Sequence, residues 1–144
     1  MSYNTDQSRR IYGGGRFNSG GYYSGDRTSL SGDIAVLPLE TLLVEVNYTR
    51  NHITVPGFSR YVTNTLNARV SHSFTPDLFV KSFMQYNDAR RLANLNLLVW
   101  YRYATGSDLY IVYNQGWNTD LGGPDDLSVR DRSLQVKLTY WWAR

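Results

Sequence analysis

The end of the chain alternates with a period of two. From Ser133 to Trp142, Leu134, Val136, Leu138, Tyr140 and Trp142 take every second position, and Ser133, Gln135, Lys137, Thr139 and Trp141 take the others. That is the period of a β-strand with one apolar and one polar face. About 9–11 tilted strand residues cross a bilayer's hydrocarbon core. No apolar run approaches the ~18 residues that a membrane helix needs. None is longer than five residues, as in Leu97 to Tyr101. If this chain crosses a membrane, it does so with strands. The pattern predicts an all-β fold, an antiparallel up-and-down (meander) transmembrane β-barrel of about eight strands.

The same reading along the chain places strands near 9–17, 27–37, 40–50, 60–74, 77–87, 93–104, 107–117 and 132–142. Residues 1–8 are polar and read as a disordered N-terminal tail, leaving 9–144 as a single barrel domain. Tight turns are expected at Leu37-Pro38-Leu39, Phe74-Thr75-Pro76-Asp77 and Ala104 to Asp108, which are rich in Pro, Gly and Asp. Longer polar connections are expected at 18–26, 51–59, 88–92 and 118–131. Short turns at one end and long loops at the other are the habit of outer-membrane barrels. Gly13-Gly14-Gly15 marks a weak strand or a close approach.

Facing follows from parity. The polar faces gather Arg16, Asp33, Glu45, Arg69, Lys81, Arg102 and Lys137. Inside a narrow barrel these residues form an interlocked network, with Asp33 and Glu45 expected to pair with the cations because an unpaired buried charge is costly. Aromatic residues gather at strand ends. Phe74, Tyr103, Tyr140 and Trp142 lie toward the short turns, and Tyr48, Tyr86, Tyr113 and Trp117 toward the long loops. Two such belts suit two membrane–water interfaces, as an aromatic girdle.

Composition narrows the function classes. The absence of cysteine excludes disulfides and thiolate metal sites. A net charge of +3 is too small to indicate a nucleic-acid partner. The cations comprise thirteen Arg and two Lys, and Arg is suited to ordered ion pairs in confined space. Met1 to Arg10 has no apolar core of a signal peptide. Export to an outer membrane would then need a leader ahead of this chain, either lost by truncation or held in a longer precursor.

Three stretches carry a resemblance. They are Thr75 to Asn87 (TPDLFVKSFMQYN), Trp100 to Gly116 (WYRYATGSDLYIVYNQG) and Val136 to Tyr140 (VKLTY), and Gly21 to Gly32 adds to them. Together they resemble the C-terminal β-barrel region of a bacterial outer-membrane family of unknown function. In that family the region usually follows a carbohydrate-binding-type β-domain. The resemblance implies a larger parent barrel of which this chain is the last eight strands. It supplies no catalytic residue and no sugar site. The final strand also resembles the C-terminal signal read by the outer-membrane assembly machinery. Gln135, Tyr140 and Trp142 match that signal, Lys137 stands where glycine is usual, and Ala143-Arg144 extend past its aromatic end.

Sites of chemistry are sparse. His52 and His72 are twenty residues apart and show no metal-ligand spacing. Asp120, Asp125, Asp126 and Asp131 surround Gly122-Gly123-Pro124, but in no calcium-loop spacing. Asp33 and Glu45 read as an ion network rather than a glycosidase pair. No nucleophile elbow or phosphate-binding loop is present. The expectation is therefore no enzyme, no cofactor and no metal. It is a monomeric outer-membrane barrel with lipid or detergent and the assembly machinery as partners, and a structural or anchoring role with a polar interior filled by side chains. Two alternatives stand beside it. One is part of a larger pore for small, anionic solutes. The other is a soluble up-and-down barrel with its apolar face inward around a small apolar ligand.

Overall fold

The computed structural model describes all residues except 7–8, 23–24, 58–59, 120–126 and 143–144. Among these residues it contains nine strands in one sheet: β1 (Ser2–Asn4), β2 (Ile11–Tyr22), β3 (Gly25–Leu39), β4 (Leu42–Thr54), β5 (Tyr61–Thr75), β6 (Leu78–Asn87), β7 (Leu92–Ala104), β8 (Ser107–Thr119) and β9 (Leu127–Thr139). Each strand pairs antiparallel with the next, so spatial order equals chain order. No helix occurs among the described residues. The all-β antiparallel meander is as the alternation predicts, because neighbouring strands joined by tight turns pair with each other.

Three features differ from the sequence reading. Ser2–Asn4, placed in a frayed tail, forms a strand paired with Asn4 opposite Gly14 and Ser2 opposite Arg16. The strands reach further at one end than alternation indicated. Residues 18–22, 51–53 and 127–131, read as loops, continue the ladders between β2 and β3, β4 and β5, and β8 and β9. Backbone pairing needs no apolar side chain, so Gly, Ser, Thr and Asn extend a ladder without leaving a hydrophobic signature. Finally, the sheet is open. Strand β9 is exposed along its whole length, and β1 rather than β9 lies beside β2.

Two-residue turns at 40–41, 76–77 and 105–106 close one end, each beside a shift in pairing register. In β3 that shift contains Pro38, whose missing N–H suits an interrupted ladder. The opposite end carries 55–60 and 88–91. Segments 23–24 and 120–126, where the sequence placed two long loops, lie outside the described residues.

The sheet has almost no core. Ala35 and Ala93 are the buried hydrophobic residues among those described. One sheet folded over nothing cannot bury its apolar side chains within itself.

Candidate functional site

Directly paired residues share a face, so the registers carry one face across all nine strands. The first face holds Ile34 and Val36 of β3, Val44 and Val46 of β4, Leu66 and Val70 of β5, Val80 and Met84 of β6, and Leu95, Leu97 and Val99 of β7. It continues through Leu109 and Ile111 of β8 to Leu134, Val136 and Leu138 of β9. The second face is polar. One line of cross-strand partners runs Asp33, Asn47, Asn67, Gln85, Asn94 across β3 to β7 and ends at Asp131 on β9. A single pleat separates an apolar surface from one rich in amides, hydroxyls and charges.

The apolar face is open to its surroundings. Ile34, Leu134, Val136 and Leu138 are 59–65% accessible. Its edges are aromatic. Tyr48, Tyr86 and Trp117 stand in one line of cross-strand partners with Leu66 and Ala93, and Tyr3 of β1 lies on the same line. Beyond it the same face turns polar at Arg50, Asn64 and His52. Near the two-residue turns stand Phe74, Tyr101, Tyr103, Tyr140 and Trp142. Phe74 stacks on His72 at 4.0 Å, Tyr140 meets Trp142 edge-on at 6.2 Å, and the Tyr103 hydroxyl donates to the Thr139 carbonyl at 3.0 Å. Tyr113 stands two rows inside the first border, with its hydroxyl on Gln115. The sequence reading placed it at the strand end, whereas the register sets it opposite Leu97 and Leu134. Tyr3 and Tyr101 belong to the borders and were missed. Tyr3 lies in a segment that reads as tail, and Tyr101 reads only as the end of an apolar run.

The loop-side border is anchored by hydrogen bonds. The Tyr48 hydroxyl donates to Asn64 Oδ1 at 2.7 Å. Asn64 in turn holds the Asp88 carboxylate through its backbone N–H (2.6 Å) and its amide group. Partial burial pushes the Asp88 carboxyl pKa up. Hydrogen bonds from Asn64, Ala89 and its own backbone N–H outweigh this and leave it below the ordinary aspartate value.

All seven charged residues assigned to a barrel interior share the polar face: Arg16, Asp33, Glu45, Arg69, Lys81, Arg102 and Lys137. They do not form one network. Glu45 and Arg69 are cross-strand partners joined at 3.3 Å. Asp33 lies between Gly14 and Asn47, so its expected cationic partner is absent among the described residues. The cations near the turns use aromatic rings instead. Arg102 lies over Trp100 at 5.0 Å and reaches Asp108 at 3.6 Å and Asp77 at 3.8 Å, while Trp100 Nε1 donates to Asp108 at 3.1 Å. Lys81 covers Phe79 at 5.3 Å and Lys137 covers Tyr110 at 5.9 Å. Phe79 and Phe83 break the alternation of β6, which hides them from a period-two reading. Cation–π contact explains how they tolerate a polar face.

Two further details shape this face. An open cleft of about 350 Å³ lies between Tyr12, Asp33, Glu45, Asn67, Arg69 and Phe83, drawn from five successive strands. Asn67 Oδ1 is buried there with no hydrogen-bond partner among the described residues. Near β9, Arg130 is the extra residue of a bulge. Its side chain crosses Gly116 to bond Asn94 at 3.1 Å and Asp131 at 2.6 Å. A Cβ at Gly116 would sit 2.8 Å from the Asp131 carboxylate and 2.9 Å from the Arg130 guanidinium, so this crossing needs glycine.

Among the described residues no group of three His, Asp or Glu could hold a metal ion. His52 and His72 stand on the apolar face at opposite ends of β4 and β5. Of the acidic loop considered for calcium, Asp120, Asp125 and Asp126 lie outside the described residues. Comparison with protein-family models, with curated proteins and with solved structures finds no match for this chain.

Proposed function

We propose that this sheet is the wall of a bacterial outer-membrane β-barrel, with its apolar face against lipid and its polar face inward, serving a structural or anchoring role. The observation that carries this reading is the continuous exposed apolar face bordered by aromatic residues at both ends. From Ala93 to Tyr103, β7 climbs about 34 Å at about 3.4 Å per residue. At a barrel tilt of about 40° that becomes about 26 Å of height, close to the ~25 Å apolar band of such barrels. Water would expose this face along its whole width, whereas lipid would cover it without any partner domain. The polar side chains bond one another from strand to strand, as in Arg27 to Asn51, Asn51 to Thr63 and Asn96 to Asn114. Such a lining fills a narrow interior rather than leaving a wide channel.

The test is refolding with and without dodecylphosphocholine micelles, read on a denaturing gel before and after boiling. A band that shifts on boiling, present only with micelles, is the expected result. Quenching of Trp117 and Trp142 by lipids brominated near the headgroup, and weaker quenching by lipids brominated at the chain ends, would place both borders at interfaces. A monodisperse β-protein in plain buffer would overturn the reading.

A further inference from the structure

Strand direction alternates along the meander, so β9 runs parallel to β1 and antiparallel to β2. A barrel whose neighbours are all antiparallel has an even number of strands. The nine strands of the described residues cannot meet that condition by themselves, whereas β2 to β9 can. The obstacle is β1. Phe17 N donates to the Met1 carbonyl at 2.8 Å, Thr5 N to the Gly13 carbonyl at 2.8 Å, and Gly13 N to Thr5 Oγ1 at 2.7 Å. The segment 1–5 thus occupies the outward groups of β2 that a closing strand would need.

From these constraints, and resting on the barrel reading above, we infer that β9 closes the sheet on the outer edge of β2. The segment Met1–Thr5 is then a temporary occupant of that edge, displaced on closure. Pairing carries Gly14 across the sheet to Asp131. A closed barrel returns this line to its first strand displaced by a fixed stagger. Displacement toward the chain's start would carry β9 off the end of β2, whereas displacement toward Tyr22 keeps the two side by side. Over eight strands, a stagger of about ten residues gives a tilt of about 40°, inside the usual range.

At that stagger Tyr140 stands opposite Gly15, Trp141 opposite Gly14 and Trp142 opposite Gly13. The aromatic triplet of the chain meets its glycine triplet. Rings of one strand then cover the bare backbone of its neighbour, a pairing that stabilises glycine in sheets. Backbone orientation agrees. Trp141 N points back to Ser107 Oγ of β8 at 3.0 Å. Continued as a strand beyond Thr139, the chain turns the N–H groups of Tyr140 and Trp142 outward, toward the side on which Gly13 and Phe17 present theirs. The apolar faces also match, since Gly13 and Gly15 share the face of Ile34 and Val36.

The chain has no cysteine, so engineered pairs report pairing without background. Asn18→Cys with Lys137→Cys tests the inferred register, and Arg16→Cys with Lys137→Cys tests a register two residues away. Ser2→Cys with Arg16→Cys locks β1 onto β2. In dodecylphosphocholine, the first pair should cross-link within the heat-shifting monomer at least fivefold more than the second. Oxidation of the third pair should abolish the heat-shifting band, and reduction should restore it. Cross-linked dimers from the first pair, preference for the second pair, or a heat-shifting band in the oxidised third variant would each overturn the inference while leaving the barrel reading in place. A wild-type chain with no heat-shifting band would overturn the barrel reading and the inference with it.

Discussion

The two faces of this sheet are built from the same strands, yet they depend on different solvents. The apolar face has continuity, and its leucines and valines are covered in part by their cross-strand neighbours and by nothing from above. The polar face is held within the chain by amide ladders, the Glu45–Arg69 pair and the cations over Phe79, Trp100 and Tyr110. The contrast teaches that the polar side supplies order and the apolar side supplies location.

A charge in the middle of the apolar face tests this contrast most severely. Val99→Arg is expected to cost about 2–4 kcal/mol of stability in micelles, the usual penalty near a bilayer midplane. Asn96→Arg, three residues away on the polar face, should cost less than about 1 kcal/mol. Urea midpoints of the refolded proteins measure both, and equal losses would erase the distinction between faces. Within the polar face, Asp108→Ala removes the acceptor of Trp100 and a partner of Arg102. A loss of about 1–3 kcal/mol is expected from the groups left unpaired, with a shift in tryptophan emission.

At the loop-side border, Tyr48→Phe keeps the ring and removes the bond to Asn64. About 0.5–1.5 kcal/mol is expected, and no loss would mean that the ring alone sets the border. The smallest effect concerns Asp88. Its carboxyl is held below the ordinary value in the folded chain, so between the two values the unfolded chain binds more protons. Its contribution is present above the ordinary aspartate value of about 4 and is lost as pH falls through the folded value. Wild-type stability should therefore decline in acid, and Asp88→Asn should flatten part of that decline in urea titrations from pH 6 to pH 2.

Eight of the nine strands were legible because alternation is a local property. The faces of Arg16, Asp33, Glu45, Arg69, Lys81, Arg102 and Lys137 were legible for the same reason. Tyr3 and the strand around it were not, because a three-residue ladder carries too little pattern to distinguish from a tail. The strand extension at 18–22 was hidden because glycine and serine pair their backbones without announcing a face. Partner choice was also hidden. Asp33 and Glu45 looked equivalent in sequence, yet only Glu45 falls opposite an arginine.

The amino-acid order alone determined which side chains share a surface, because the pleat turns each residue to the opposite face from its neighbour whatever lies nearby. Register, and with it the asparagine line, the aromatic borders and the occupation of the β2 edge, was decided only by the tertiary structure. Those relations join residues far apart in the chain, and the hydrogen-bond ladders that fix them are identical in chemistry at every position.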